Sequence, residues 1–177
     1  MSSDLVPLPD PKVPMWRRCA ALGIDFFLIG LLCVALGANG VTLLFVFMIS
    51  WLATRVFVVS KNQGQSLGGW AFDIRVVDSQ FNRTPRLLEL TKRETVMGLG
   101  AALFLMGLGG LTSGNAGILL LMLPIVIDGG AVLFDTSRHP QTVHDRIGQT
   151  IVIGSRRGYS LDLKIRYLID KVKREMK

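Results

Sequence analysis

Three ionisable residues, Asp25, Arg55 and Asp128, stand inside long apolar stretches of this chain. A charge in hydrocarbon costs roughly 2.5–3.5 kcal/mol on insertion scales, so such groups turn inward, where they pair or handle ions. On helices rising ~1.5 Å per residue, Asp25 lies ~10 Å beyond Arg18, Arg55 ~7 Å before Ser60 and Asp128 ~9 Å before Phe134. Two acids and one base therefore share one slice on the cytoplasmic half. They leave one negative charge unless a proton or small cation fills the slot or one carboxyl keeps its proton. Pro124 removes a backbone donor four residues before Asp128, and Gly129-Gly130 follow, so the helix can open there and present carbonyl oxygens to a cation. Asp25, Arg55 and Asp128 are thus the expected ion or proton site. The competing expectation is a fixed bridge from Asp25 to Arg55 or Arg18 that fastens helices together, with Asp128 protonated or reaching the interface.

The elements that carry these residues follow from run length and charge sorting. Apolar stretches cover residues 19–36, 41–59, 95–111 and 117–134, each close to the ~20 residues that span hydrocarbon. All twenty Lys and Arg fall in 1–18, 55–93 and 138–177, whereas the hinges 37–40 and 107–116 carry no charge. Cationic segments stay on the cytoplasmic side, which predicts both termini and the middle inside. The expected fold is an all-α membrane protein: four transmembrane helices as two hairpins, a cytoplasmic Gly-rich linker and a C-terminal amphipathic helix. Buried helices of a soluble domain are the alternative for any one run, but not for four runs with sorted charges. The third run is rich in glycine and suits a packed neighbour. Three regions result: a disordered tail over 1–14, a transmembrane domain over 15–153 and a basic amphipathic helix over 154–177.

Residues 1–14 hold four prolines and two acids before any apolar run, which argues against a cleaved signal peptide. Cys19 and Cys33 would lie ~21 Å apart on one helix, too far to bridge. In the tail Leu161, Ile165, Leu168, Ile169, Val172 and Met176 form one helical stripe with lysines mostly off it. That pattern suits anionic lipid headgroups, or packing on the chain's own domain. In the linker, Gly64, Gln65, Ser66 and Gly68 form a glycine-rich cytoplasmic turn, and 67–77 reads as a membrane-surface segment, helical or extended. A turn follows at 78–82, and Thr84 or Thr91 is the expected cap of the next helix.

Several chemistries are excluded. Gly64-Gln65-Ser66-Leu67-Gly68 matches a nucleophile elbow, but no large α/β sheet is available to carry one. His144-Asp145 has only His139 as a further histidine, too few ligands for a metal hydrolase. The net charge of +7 follows from topology, without the aromatic and basic interleaving of a nucleic-acid surface. No enzyme activity, metal or cofactor is expected.

Three motifs together resemble those of RDD family membrane proteins, named for one arginine and two aspartates. They are Trp16-Arg17-Arg18 leading to Asp25, Gly64-Gln65-Ser66-Leu67-Gly68-Gly69 with Ile74-Arg75-Val76-Val77-Asp78, and His144-Asp145-Arg146-Ile147-Gly148-Gln149-Thr150-Ile151-Val152. The resemblance implies that Arg18, Asp25 and Asp145 are signature residues forming a structural clamp, and that Arg93 is the arginine preceding the later helices. Gly69 stands where the family usually has lysine and Asp73 where it has glycine, while Gly148-Gln149 replaces Ala-Gly. The missing lysine weakens the case for anion binding through that residue at the turn. A role in moving a small cation or proton is implied, with a non-catalytic assembly or accessory factor as the alternative. Four short helices enclose little volume, so a homo-oligomer or a larger membrane complex is the expected setting, in a bacterial-type cell membrane or an equivalent internal one.

Overall fold

The computed structural model describes residues 13–111, 116–136 and 139–155, and Leu161. The first element, α1 (Met15–Ala35), starts four residues earlier than expected and so carries Arg18 inside the helix. It ends in a Schellman motif: Gly37 takes φ +64°, Gly37 N donates to Val34 O, and Ala38 N donates to Cys33 O. That tight stop turns the chain directly into α2 (Gly40–Lys61). Between Ala53 and Val58 this helix widens to π geometry. At the start of that stretch, Thr54 Oγ1 donates back to Ser50 O at 2.8 Å. A π stretch adds a residue to the turn and is commonly found where a side chain must be re-aimed, and here it contains buried Arg55.

A short helix, α3 (Leu67–Ala71), and a strand, β1 (Ile74–Asp78), form the linker. The helix α4 (Leu87–Gly110) is capped at Arg86, whose N–H donates to Glu89. Neither Thr84 nor Thr91 is the cap, and Thr91 donates its hydroxyl to Leu87 O within the helix. The next span, α5 (Gly117–Phe134), matches the expected bounds. It is α-helical only over Leu123–Gly130, with 3-10 turns on either side, and Pro124 sits in the first α turn, where its missing N–H is tolerated. The described chain closes with α6 (Val143–Ile147) and β2 (Thr150–Gly154).

Among the described residues, three helices are long and apolar enough to cross a membrane: α1, α2 and α5. The expected third run, 95–111, is part of α4, which begins eight residues earlier and so takes in Arg93 and Glu94. The main core lies between α1, α2 and α4, where Ile29, Cys33, Phe47, Trp51, Met97, Ala101 and Ala102 are buried together. Gly98 lets α4 approach this closely, since a Cβ there would stand 2.6 Å from Trp51 Cδ1. Both cysteines are free.

The fold is mostly helical, and the expectation of an all-α chain is corrected by a two-stranded antiparallel sheet. Its register pairs Ile74 with Gly154 and Asp78 with Thr150. β-branched residues dominate both strands and bury Val77, Ile151 and Ile153 as a small cluster of their own. Asp78 Oδ1 accepts from Gln80 N and Phe81 N, making the expected turn at 78–82. The tail, 1–12 and the greater part of the amphipathic segment 154–177 lie outside the described residues, as do 112–115 in the second hinge.

Candidate functional site

Six charged residues from four helices alternate in sign along one continuous chain of hydrogen bonds. Asp25 on α1 accepts from Arg55 Nη1 on α2. Arg55 Nε donates to Glu94 Oε2 on α4 at 2.7 Å, and its Nη2 donates to Oε1. Arg93 Nη1 donates to the same Glu94 Oε1, while Arg93 Nε donates to Asp145 Oδ1 on α6 at 3.0 Å. Arg18 on α1 completes the chain, with Nη2 donating to Asp145 Oδ2 and Nη1 to Pro140 O at 2.7 Å. Three guanidinium groups thus face three carboxylates, and the set is neutral. Glu94 and Asp145 are fully buried.

Local structure aims each member. Trp51 stacks on Phe47, donates its indole N–H to Glu94 Oε2 at 3.1 Å, and lies under the Arg55 guanidinium at 5.0 Å. Asp145 is the third residue of α6 and caps it reciprocally with Thr142: Thr142 N donates to its carboxylate and Asp145 N donates to Thr142 Oγ1. Burial alone would push the Asp145 carboxyl up. The neighbouring His144, Arg93 and Arg18 outweigh that and hold it well below the usual carboxylate range.

The glycine-rich turn plugs into this network. Gly64 takes φ +86°, and a Cβ on it would meet Val76 O at 2.2 Å, so only glycine fits. Gln65 Nε2 donates to Ile74 O, and Ser66 Oγ caps α3 by accepting from Gly69 N at 3.0 Å. Gly68 N donates to Asp25 Oδ1 at 2.8 Å, and a Cβ on Gly68 would lie 1.9 Å from Ala21 O. At Gly69, where lysine is usual, a Cβ would stand 3.0 Å from Ile74 O. Asp73, where glycine is usual, takes φ +56°, the left-handed region that glycine enters freely and aspartate tolerates.

Of the three residues expected to share a slot, the structure joins Asp25 and Arg55 and sends Asp128 elsewhere. Asp128 accepts from the His144 backbone N–H at 2.9 Å through Oδ1, and its Oδ2 faces His144 Nδ1 at 2.6 Å. The reason is geometric: α6 folds its N-terminal turn against α5, and an unpaired N–H of that turn meets the carboxylate first. Arg55 and Asp128 still line a common cavity of about 210 Å³, with Arg18, Arg93, Thr142 and His144. The far nitrogen of His144 stands 3.2 Å from Thr142 Oγ1 and 3.6 Å from Asp145 Oδ1.

Residue pattern alone misses two partners. Glu94 flanks the expected third span and is given no role by the sequence reading, although its place beside Arg93 and one turn before Gly98 is visible in the sequence. His144 reads as a solvated loop histidine, whereas it is buried against Asp128. Arg18, Asp25, Arg55, Arg93 and Asp145, each conspicuous by its charge or its motif, lie in the one network.

Comparison with known proteins agrees with the motifs. A family model described as RDD family matches residues 12–149. No curated protein and no solved structure matches the chain.

Proposed function

The chain belongs to the RDD family, and from that premise we propose that it is a multi-pass membrane protein that moves, or helps to move, protons through the Asp128–His144 pair. The observation that carries this reading is the partnership of Asp128. Every carboxylate of the six-residue chain faces an arginine, which cannot give up its proton. Asp128 faces a histidine, whose imidazole can take a proton at one ring nitrogen and give one up at the other.

The cavity gives this pair an approach, and the imidazole gives it a way onward. With Nδ1–H directed to Asp128, Nε2 is free to accept from the Thr142 hydroxyl. A proton arriving on one side of the ring can thus leave from the other. A proton suits the site better than a metal cation, because both Asp128 oxygens are already engaged by His144. In this reading α4 is the third of four crossings, both termini are cytoplasmic, and residues 15–153 form the transmembrane domain. The segment 154–177 rests on anionic headgroups, and a homo-oligomer or larger complex completes the path.

The test is a vesicle assay with a pH-sensitive dye inside and a pH gradient imposed outside. Wild-type protein dissipates the gradient, whereas Asp128→Asn and His144→Gln do not, with both variants eluting as folded protein. Wild-type vesicles as tight as empty ones would sink the reading. A second reading, a non-catalytic accessory factor, is favoured by the neutrality of the six-residue chain, which fastens helices without leaving a charge to work with. Recovery of a stable complex in a pull-down, from cells whose vesicles show no flux, supports that alternative.

A further inference from the structure

The glycine-rich linker carries an exposed apolar face that neither proton handling nor the charge network uses. Leu67 and Trp70 are 52% and 60% exposed, three residues apart and so on one side of α3, while Gly68 and Gly69 on the other side are buried. No charged residue occurs from Asn62 to Phe72. A water-facing linker gains nothing from exposing a leucine and a tryptophan, and it usually carries charge.

The depth of α3 along α1 is fixed by two contacts. At its C-terminal end Phe72 packs edge-on against Trp16, at 6.1 Å between ring centres. At its N-terminal end Gly68 touches Ala21 and donates to Asp25. Ala21 and Asp25 lie six and ten residues into α1, ~9–15 Å from its start. The start of α3 is therefore level with the interior of a membrane-crossing helix, and its end with the cationic rim at Arg17 and Arg18. Close to that depth α1 also exposes Phe27 and Leu28, apolar side chains of a helix long and apolar enough to cross a membrane.

We propose that residues 62–72 are a re-entrant segment that dips from the cytoplasmic rim to the level of Asp25 and rests Leu67 and Trp70 among lipid acyl chains. Irregular backbone at that depth is tolerated only where protein satisfies it. Here protein supplies partners to much of it: Gly68 N is taken by Asp25, Gly69 N by Ser66, Gly64 N by Val59 O and Gln65 N by Asn62 O. Tryptophan suits the boundary position, with an apolar body and one polar tip.

The experiment is tryptophan quenching in the full chain, reconstituted in phosphatidylcholine vesicles containing lipids brominated high on the acyl chain. Wild type and Trp70→Phe are compared, so that the difference reports Trp70 alone. The expected result is loss of the lipid-quenched component in Trp70→Phe, with aqueous iodide quenching equal in the two proteins. A Trp70 component quenched by iodide and untouched by bromine puts the segment in water and overturns the proposal. Shielding from both quenchers means that protein covers the face, and overturns it too. As an independent readout, Leu67→Cys in a Cys19→Ser background should resist a membrane-impermeant maleimide in intact vesicles and react once the protein is dissolved in denaturant. Full labelling in intact vesicles also overturns it.

Discussion

Arg55 Nε and Glu94 Oε2 meet at 2.7 Å between α2 and α4, beside the indole of Trp51. Glu94 receives a second guanidinium from Arg93, so one carboxylate neutralises parts of two cations contributed by different helices. Removing one partner from a buried ion pair costs ~3–5 kcal/mol, because the remaining charge has no water to turn to.

Glu94→Gln is therefore expected to destabilise the protein by about that amount, more than any other single carboxamide replacement in the chain of six. Thermal unfolding in detergent measures it, and a melting temperature equal to wild type would remove Glu94 from the centre of the network.

Arg18 makes two differently directed bonds, to Asp145 and to Pro140 O. A lysine keeps the charge and cannot make both, since its ammonium is a point and not a fork. Arg18→Lys should lose ~1.5–3 kcal/mol, the value of a charge-assisted hydrogen bond. Chemical denaturation in mild detergent distinguishes this from a neutral change.

Glycine positions give a paired test. Gly68→Ala drives a Cβ to 1.9 Å from the Ala21 backbone oxygen, which cannot withdraw without moving α1. Gly23, on α1 itself, is the control, because a Cβ placed there meets nothing within 4 Å. Gly68→Ala should cost more than about 4 kcal/mol and abolish monodisperse elution. Gly23→Ala should gain ~0.5–1 kcal/mol through helix propensity.

The lowered proton affinity of the Asp145 carboxylate sets the sign of a pH effect. Its folded form holds the proton less readily than the unfolded form, so its contribution is complete above the unfolded value of ~3.9 and fades as pH falls below that toward the folded value. The stability gap between wild type and Asp145→Asn should be present at pH 5 and narrow progressively as pH falls below 4. A gap that closes between pH 7 and pH 5 would contradict the ion-paired assignment.

Much of this arrangement is legible in residue order. Apolar run length and the sorting of lysine and arginine locate α1, α2 and α5, and the motif from Gly64 to Asp78 announces a turn and an extended segment. Depth counting puts Asp25 level with Arg55, and the two are bonded. It does not give the partner of Asp128, which lines a cavity with Arg55 yet bonds to His144, because helical rise fixes height and says nothing about azimuth. Glu94 escapes for a different reason. Adjacent helical residues point apart, so a glutamate directly after Arg93 reads as its neighbour on the sequence and not as its partner. Only the length of the arginine side chain brings the two together. The strand Thr150–Gly154 reads only as the end of a motif, since its pairing with Ile74–Asp78 spans too much chain for any local signal to reveal.

Arg18 and Asp145 are separated by 127 positions. Translation releases the arginine early and its counterpart far later, so throughout the intervening synthesis Arg18 and Arg93 have no Asp145 to meet. The latch between Arg18 and Asp145 can close only once α6 has been made, so a chain that stops short of it keeps the Arg93–Glu94 pair and lacks this one.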